Sequence, residues 1–168
     1  MTTRTHEGID LAAVDAWYGE HVAASRPPLS FELLAGGHSN LTYRVTDSAG
    51  SLSVLRRPPT GELLASAHDM GREFRVISAL ATSEVPVPPA LAHNADPSVT
   101  GAPFYVMGFV AGSVLHEEAD VVAHLDLAAR HRCGLALAEV AAELHALDVT
   151  EIGLADLGRH DGYVGRQL

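Results

Sequence analysis

The stretches GGHSNLTYRV (36–45), VLRRPP (54–59), GREFRVISAL (71–80) and FYVMGFVAG (104–112) decide how this chain folds. In the first, two adjacent glycines precede a β-rich run, which is how a hairpin turns and returns as a strand. The second is an apolar run that ends in two cations and is stopped by Pro58-Pro59. The third sets Phe74 and Ile77 at helical spacing around Glu73. The fourth is apolar and β-prone, and Ala111-Gly112 gives it a flexible exit. In order, they are a glycine-bearing hairpin, a strand ending in cations, a helix carrying a carboxylate, and a strand running into a linker.

The flanking sequence agrees with this frame. Asp10 can cap a helix whose apolar residues Leu11, Val14, Tyr18 and Val22 recur at helical spacing, and Pro27-Pro28 closes it. Residues 31–34 read as a strand, 41–46 as its hairpin partner, and 52–56 as a third strand reached through the turn Asp47-Ser48-Ala49-Gly50. Leu63, Ala67, Met70, Phe74, Ile77 and Ala81 predict one amphipathic helix. The proline run at 85–89 forbids its continuation and leads into a strand at 90–93, with a fifth at 103–109. Residues 121–147 contain no proline and predict one long helix or two abutting ones; the glycine-bearing tail, 148–168, reads as loop.

Several residues could carry chemistry. Gly36 and Gly37 let backbone N–H groups approach an anion without Cβ interference, and His38, Ser39 and Asn40 place polar groups at the tip. The same pattern is also ordinary turn chemistry. Strand alternation puts Val54 and Arg56 on one face and Leu55 and Arg57 on the other. Arg56 is a phosphate contact, or Arg56 and Arg57 are both solvated strand-end cations. Glu73 lies at the margin of its helix's apolar stripe, where a carboxylate can pair with a cation from the sheet or simply belong to a charged surface with Arg72 and Arg75. Met107, Gly108 and Phe109 close the last strand, where backbone groups and apolar walls could hold a planar ligand.

Taken in order, these motifs resemble the aminoglycoside phosphotransferase family of small-molecule kinases, and within it the branch of kinase-like domains joined to acyl-CoA dehydrogenases. The resemblance implies an α+β fold: a protein-kinase-like N-terminal lobe with a five-stranded antiparallel sheet and a helix packed on it, then the first helical part of a C-terminal lobe. It implies an N-terminal helical segment at 1–28, a nucleotide-binding lobe at 29–110, and the exit and start of the helical lobe at 111–168. It assigns ATP to Gly36, Gly37, His38, Ser39, Asn40, Val54, Arg56, Glu73, Met107, Gly108 and Phe109. Arg56 stands where the family's phosphate-holding lysine would be, and Gly108 where an acidic residue is common.

A kinase of this kind transfers the ATP γ-phosphate to a small-molecule hydroxyl with a His-Gly-Asp loop and a later magnesium-binding aspartate. The chain contains neither, so no catalytic or metal-binding residue is assigned in it. His160-Asp161-Gly162 has the wrong order and reads as a loop, and His145, at a helix end, reads as structural. The expectation is the N-terminal part of a phosphotransferase, inactive alone and needing Mg2+ only when complete. The alternative is a truncated or pseudokinase-like nucleotide-binding or interaction module.

Composition narrows the setting. The formal net charge of −10 argues against a general nucleic-acid surface, so any polyanion site must be a local pocket. Ten scattered histidines lack the spacing of a metal site. The single cysteine, Cys133, cannot form an internal disulfide, and no apolar run can span a bilayer, so the chain reads as soluble and cytoplasmic. The apolar residues Leu137, Val140, Ala141 and Leu144 form a helical stripe with no evident partner, which predicts self-association.

Overall fold

The computed structural model describes residues 6–34, 40–61, 68–115 and 117–158, together with 162 and 165. In chain order the elements are α1 (Leu11–His21), β1 (Ser30–Leu33), β2 (Leu41–Thr46), β3 (Leu52–Arg57), α2 (Met70–Leu80), β4 (Ala90–Asn94), β5 (Phe104–Gly108), α3 (Glu118–His124) and α4 (Leu127–Ala146). The strands form one five-stranded antiparallel sheet in the order β1-β2-β3-β5-β4, the α+β arrangement the sequence predicts. Two compact units are present: Met1–Ser78 with Pro88–Phe109, and Ala79–Val87 with Val110–Leu168.

The first unit is built on the two faces of the sheet. Tyr43 and Val45 of β2, Leu55 of β3, and Phe104 and Val106 of β5 share one face by strand alternation and are buried against Val14, Trp17, Tyr18 and Val22 of the α1 segment. Asp10 starts α1, its side chain accepting from the amides of Ala12 and Ala13 at 3.1 Å each. The helix ends at His21, ahead of the prolines: Val22 is already extended and Ala24 takes a positive φ of 61°. Asp47 organises the β2–β3 turn by accepting from the amides of Ala49 and Ser51.

Arg57 departs from one sequence expectation. It is not a solvated strand-end cation: it points to the α1 face and is 3% exposed. Its guanidinium donates to the carbonyls of Pro58 at 3.0 Å and Thr100 at 2.8 Å, and also to that of Gly8. Burial lowers its pKa from the ordinary arginine value without discharging it. One cation thus ties the chain ahead of α1 and the loop ahead of β5 to the end of β3.

The helix predicted from Leu63 begins at Met70 among the described residues, with His68 and Asp69 outside it. Apolar periodicity runs across this point, but Asp69 caps the helix: its carboxylate accepts from the Arg72 amide at 2.8 Å. Residues 62–67 lie outside the described residues, as do Gly36, Gly37, His38 and Ser39 of the glycine-bearing segment.

In the second unit, the long helical stretch is two helices. Asp126 interrupts it and caps α4, accepting from the Ala129 amide at 2.7 Å, while Arg130 Nε donates back to the Leu125 carbonyl. Along α4, Leu127, Leu135, Leu137 and Leu144 are exposed, Leu137 to 72%. Among the described residues no helix is long and apolar enough to cross a membrane.

Replacing Arg57 by alanine leaves three carbonyls without their donor. We expect a loss of about 2–3 kcal/mol in urea unfolding; a loss below about 0.5 kcal/mol, the range of ordinary surface substitutions, would contradict the role given to this residue.

Candidate functional site

The face of the sheet opposite α1 carries the other half of the β3 alternation. Val54 lies opposite Met107 and Arg56 opposite Tyr105 in the β3–β5 register, with Thr42 of β2 on the other side of Arg56. Val54 is buried and Met107 half-buried, so the two give this face an apolar patch beside a cation. The first turn of α2 presents Glu73 to it.

Glu73 is where the elements meet. Its Oε2 lies 2.9 Å from Arg56 Nε and accepts from the Tyr105 hydroxyl at 3.1 Å; its Oε1 accepts from Asn40 Nδ2 at 3.1 Å. The Arg56 Nε–H is not aimed along the line to the carboxylate, so that contact is an ion pair rather than a hydrogen bond. Both side chains are about one-third exposed, 34% and 35%, which limits the pair to about 1 kcal/mol of stability. Its importance is positional. Burial first, then the Glu73 charge, pushes the Tyr105 hydroxyl well above its ordinary pKa, despite the opposing charge of Arg56, so it remains a neutral donor.

Asn40 does not offer its side chain at the tip of a loop. It is 6% exposed, and its amide is used on both sides: nitrogen toward Glu73, oxygen toward His68 Nδ1 at 2.7 Å. An amide oxygen only accepts, so this His68 nitrogen carries the hydrogen. His68 in turn directly precedes Asp69, the cap of α2. Phe74, next to Glu73, stacks on His93 of β4 with ring centroids 5.5 Å apart and meets the Tyr105 ring at 6.1 Å.

At the end of β5, the Gly108 amide donates to the Pro89 carbonyl at 2.8 Å, so this N–H is not available to a ligand. A Cβ on Gly108 would lie 2.9 Å from Pro89 Cδ. The proline ring therefore occupies the space a side chain at 108 would need, which accounts for glycine here. Phe109 follows immediately and is half-buried.

The structure thus brings together Asn40, Val54, Arg56, Glu73 and Met107, with Gly108 closing the same strand; Gly36, Gly37, His38 and Ser39 lie outside the described residues. Sequence reasoning missed Tyr105 and His68. A signal existed for Tyr105, which is two residues before Met107 on one strand and so shares its face; His68 carried none. Among the described residues no three His, Cys, Asp or Glu side chains are grouped to hold a metal ion.

Residues 30–168 match the phosphotransferase enzyme family, APH. The chain belongs to this family. It is 34% identical over 150 residues to acyl-CoA dehydrogenase family member 10 of Mus musculus, covering 89% of this chain and 14% of that protein. It is 37% identical over 140 residues to acyl-CoA dehydrogenase family member 11 of Gallus gallus, covering 83% and 18%. Among solved structures, it is similar to a "putative aminoglycoside phosphotransferase" from Ralstonia eutropha, with a TM-score of 0.77 and 35% identity over 94% of this chain and 44% of that one. The family and the kinase-like fold read from the four motifs are therefore confirmed, and the chain spans less than half of the solved relative and under a fifth of these two curated relatives.

Proposed function

We propose that this chain forms the nucleotide-binding part of an ATP-dependent phosphotransferase acting on a small-molecule hydroxyl. The observation that carries the reading is the ion pair of Arg56 with Glu73 on the sheet face shared by Val54 and Met107. A kinase uses such a cation–carboxylate pair to hold phosphates, next to apolar walls for the adenine. Arg56 would contact the phosphate chain, and Val54 and Met107 would line the base. Gly36, Gly37, His38 and Ser39 would supply backbone and short polar contacts to the phosphates. With the Gly108 amide already engaged, recognition of the base edge falls to the remaining backbone groups of Gly108 and Phe109.

In the reaction proposed, the acceptor oxygen bonds to the γ-phosphorus as the bond to the departing ADP oxygen breaks, and the hydroxyl proton passes to a base. That base, an aspartate of a His-Gly-Asp loop in this family, is not in the 168-residue sequence. Mg2+, when bound, neutralises phosphate charge; the described residues offer it no ligand cluster, so its ligands would come from a further segment, as would most of the acceptor pocket. The isolated chain is accordingly expected to bind nucleotide, as a cytoplasmic protein would encounter it, without transferring phosphate.

Titration calorimetry with ATP, alongside incubation with labelled MgATP and a panel of hydroxyl compounds, tests this. We expect measurable ATP affinity, lowered roughly tenfold by Arg56→Ala and by Glu73→Ala, with the double mutant losing less than both effects combined. Turnover is expected to be nil. Nucleotide binding indifferent to both substitutions, or turnover abolished by a mutation in this chain, would overturn the reading.

We also propose that the exposed apolar residues of α4 are covered by the rest of the family fold in a longer chain, and by a second copy in the isolated one. Light scattering should show mass rising with concentration; an invariant monomer mass would refute self-association and favour a self-contained binding module.

A further inference from the structure

Arg56 meets Glu73 side-on. The contact is through Nε, which has no solvent-accessible surface, although the Arg56 side chain as a whole keeps 34% of its exposure. Among the described residues, neither terminal guanidinium nitrogen has a hydrogen-bond or ion-pair partner. A guanidinium facing a free carboxylate favours the two-pronged arrangement that uses two nitrogens at once. Here that arrangement is not adopted: Tyr105 donates to Oε2 and Asn40, itself held by His68, donates to Oε1, so one acceptor site on each oxygen is taken and the carboxylate is oriented with Nε, not the two terminal nitrogens, against it.

We propose that Asn40 and Tyr105 are positioning residues that keep Glu73 side-on to Arg56, so that the Nη1/Nη2 edge of Arg56 remains free to grip two oxygens of a phosphate chain. The inference rests on the nucleotide reading above and adds to it the manner of phosphate recognition. A lysine at 56 would meet Glu73 and the phosphates with one ammonium, a single point charge shared between them, where the arginine gives Nε to one and its terminal edge to the other. The arginine is thus a specificity-determining residue in its own right, and restoring the lysine usual in kinases should harm rather than help.

The experiment compares ATP, inorganic triphosphate and adenosine as ligands for the wild-type chain, Arg56→Lys and Tyr105→Phe. Arg56→Lys is expected to lower affinity for ATP and triphosphate about tenfold, the equivalent of one charge-assisted hydrogen bond, and to leave adenosine unchanged. Tyr105→Phe frees Oε2, lets Glu73 compete for the Nη edge, and should weaken the two phosphate ligands, again sparing adenosine. A defect of folding would weaken all three ligands, and the Arg56→Lys chain, with its charge kept, guards against that outcome. Full ATP affinity in Arg56→Lys overturns the proposal and leaves the nucleotide reading standing. Arg56-dependent binding of triphosphate without any binding of ATP or adenosine supports the phosphate edge and overturns the nucleotide reading. Binding of none of the three by the wild-type chain overturns both.

Discussion

A single carboxylate, that of Glu73 in the first turn of α2, joins the residue just ahead of β2, the end of β3 and the first part of β5 through Asn40, Arg56 and Tyr105. None of these contacts is strong by itself, since the ion pair is one-third exposed and two of the partners are neutral. Together they fix the rotamer of Glu73, and through it the direction of Arg56. A helix that bears its carboxylate in the first turn can hold that position only if its start is defined, and Asp69 defines it. The geometry of the site is therefore set by a cap and by two hydrogen bonds as much as by the charges themselves.

The sheet separates stability from chemistry along one strand. Leu55 and Arg57 point to the α1 face, where Leu55 enters the core and Arg57 satisfies three carbonyls; Val54 and Arg56 point the other way, where Arg56 is partly exposed and paired with Glu73. Adjacent arginines of identical chemistry thus make different contacts because strand alternation places them in opposite environments. The buried one is surrounded by carbonyl dipoles with no carboxylate among its hydrogen-bond partners, which suits a cation whose role is to connect backbone segments.

Much of this was legible in the sequence wherever the determinants are local. The β2–β3 hairpin follows from its alternation and its Asp47 turn, and the start of α1 from Asp10, because the residues that dictate each are within a few positions of it. Alternation and helical spacing left the meeting of Arg56 and Glu73 as one of two readings, the other being a charged helix surface with Arg72 and Arg75, and it was the family resemblance that implied the pair. The start of α2 was not legible, since in the sequence Leu63 and Ala67 continue the apolar period, whereas His68 and Asp69 lie outside the helix and Asp69 caps it. The burial of Arg57 depends on Gly8 and Thr100, residues remote in sequence, and the inward turn of Asn40 depends on His68 and Glu73. The fit of Gly108 against Pro89 is likewise a contact between the end of β5 and the residue just ahead of β4, invisible to any local pattern.

The most direct test is the structure of this chain crystallised with a non-hydrolysable ATP analogue. The account predicts the base against Val54 and Met107, the phosphates at the Nη edge of Arg56, and Glu73 still held by Asn40 and Tyr105. A nucleotide bound on the α1 face of the sheet, or phosphates placed away from Arg56 with Glu73 released from its partners, would contradict it.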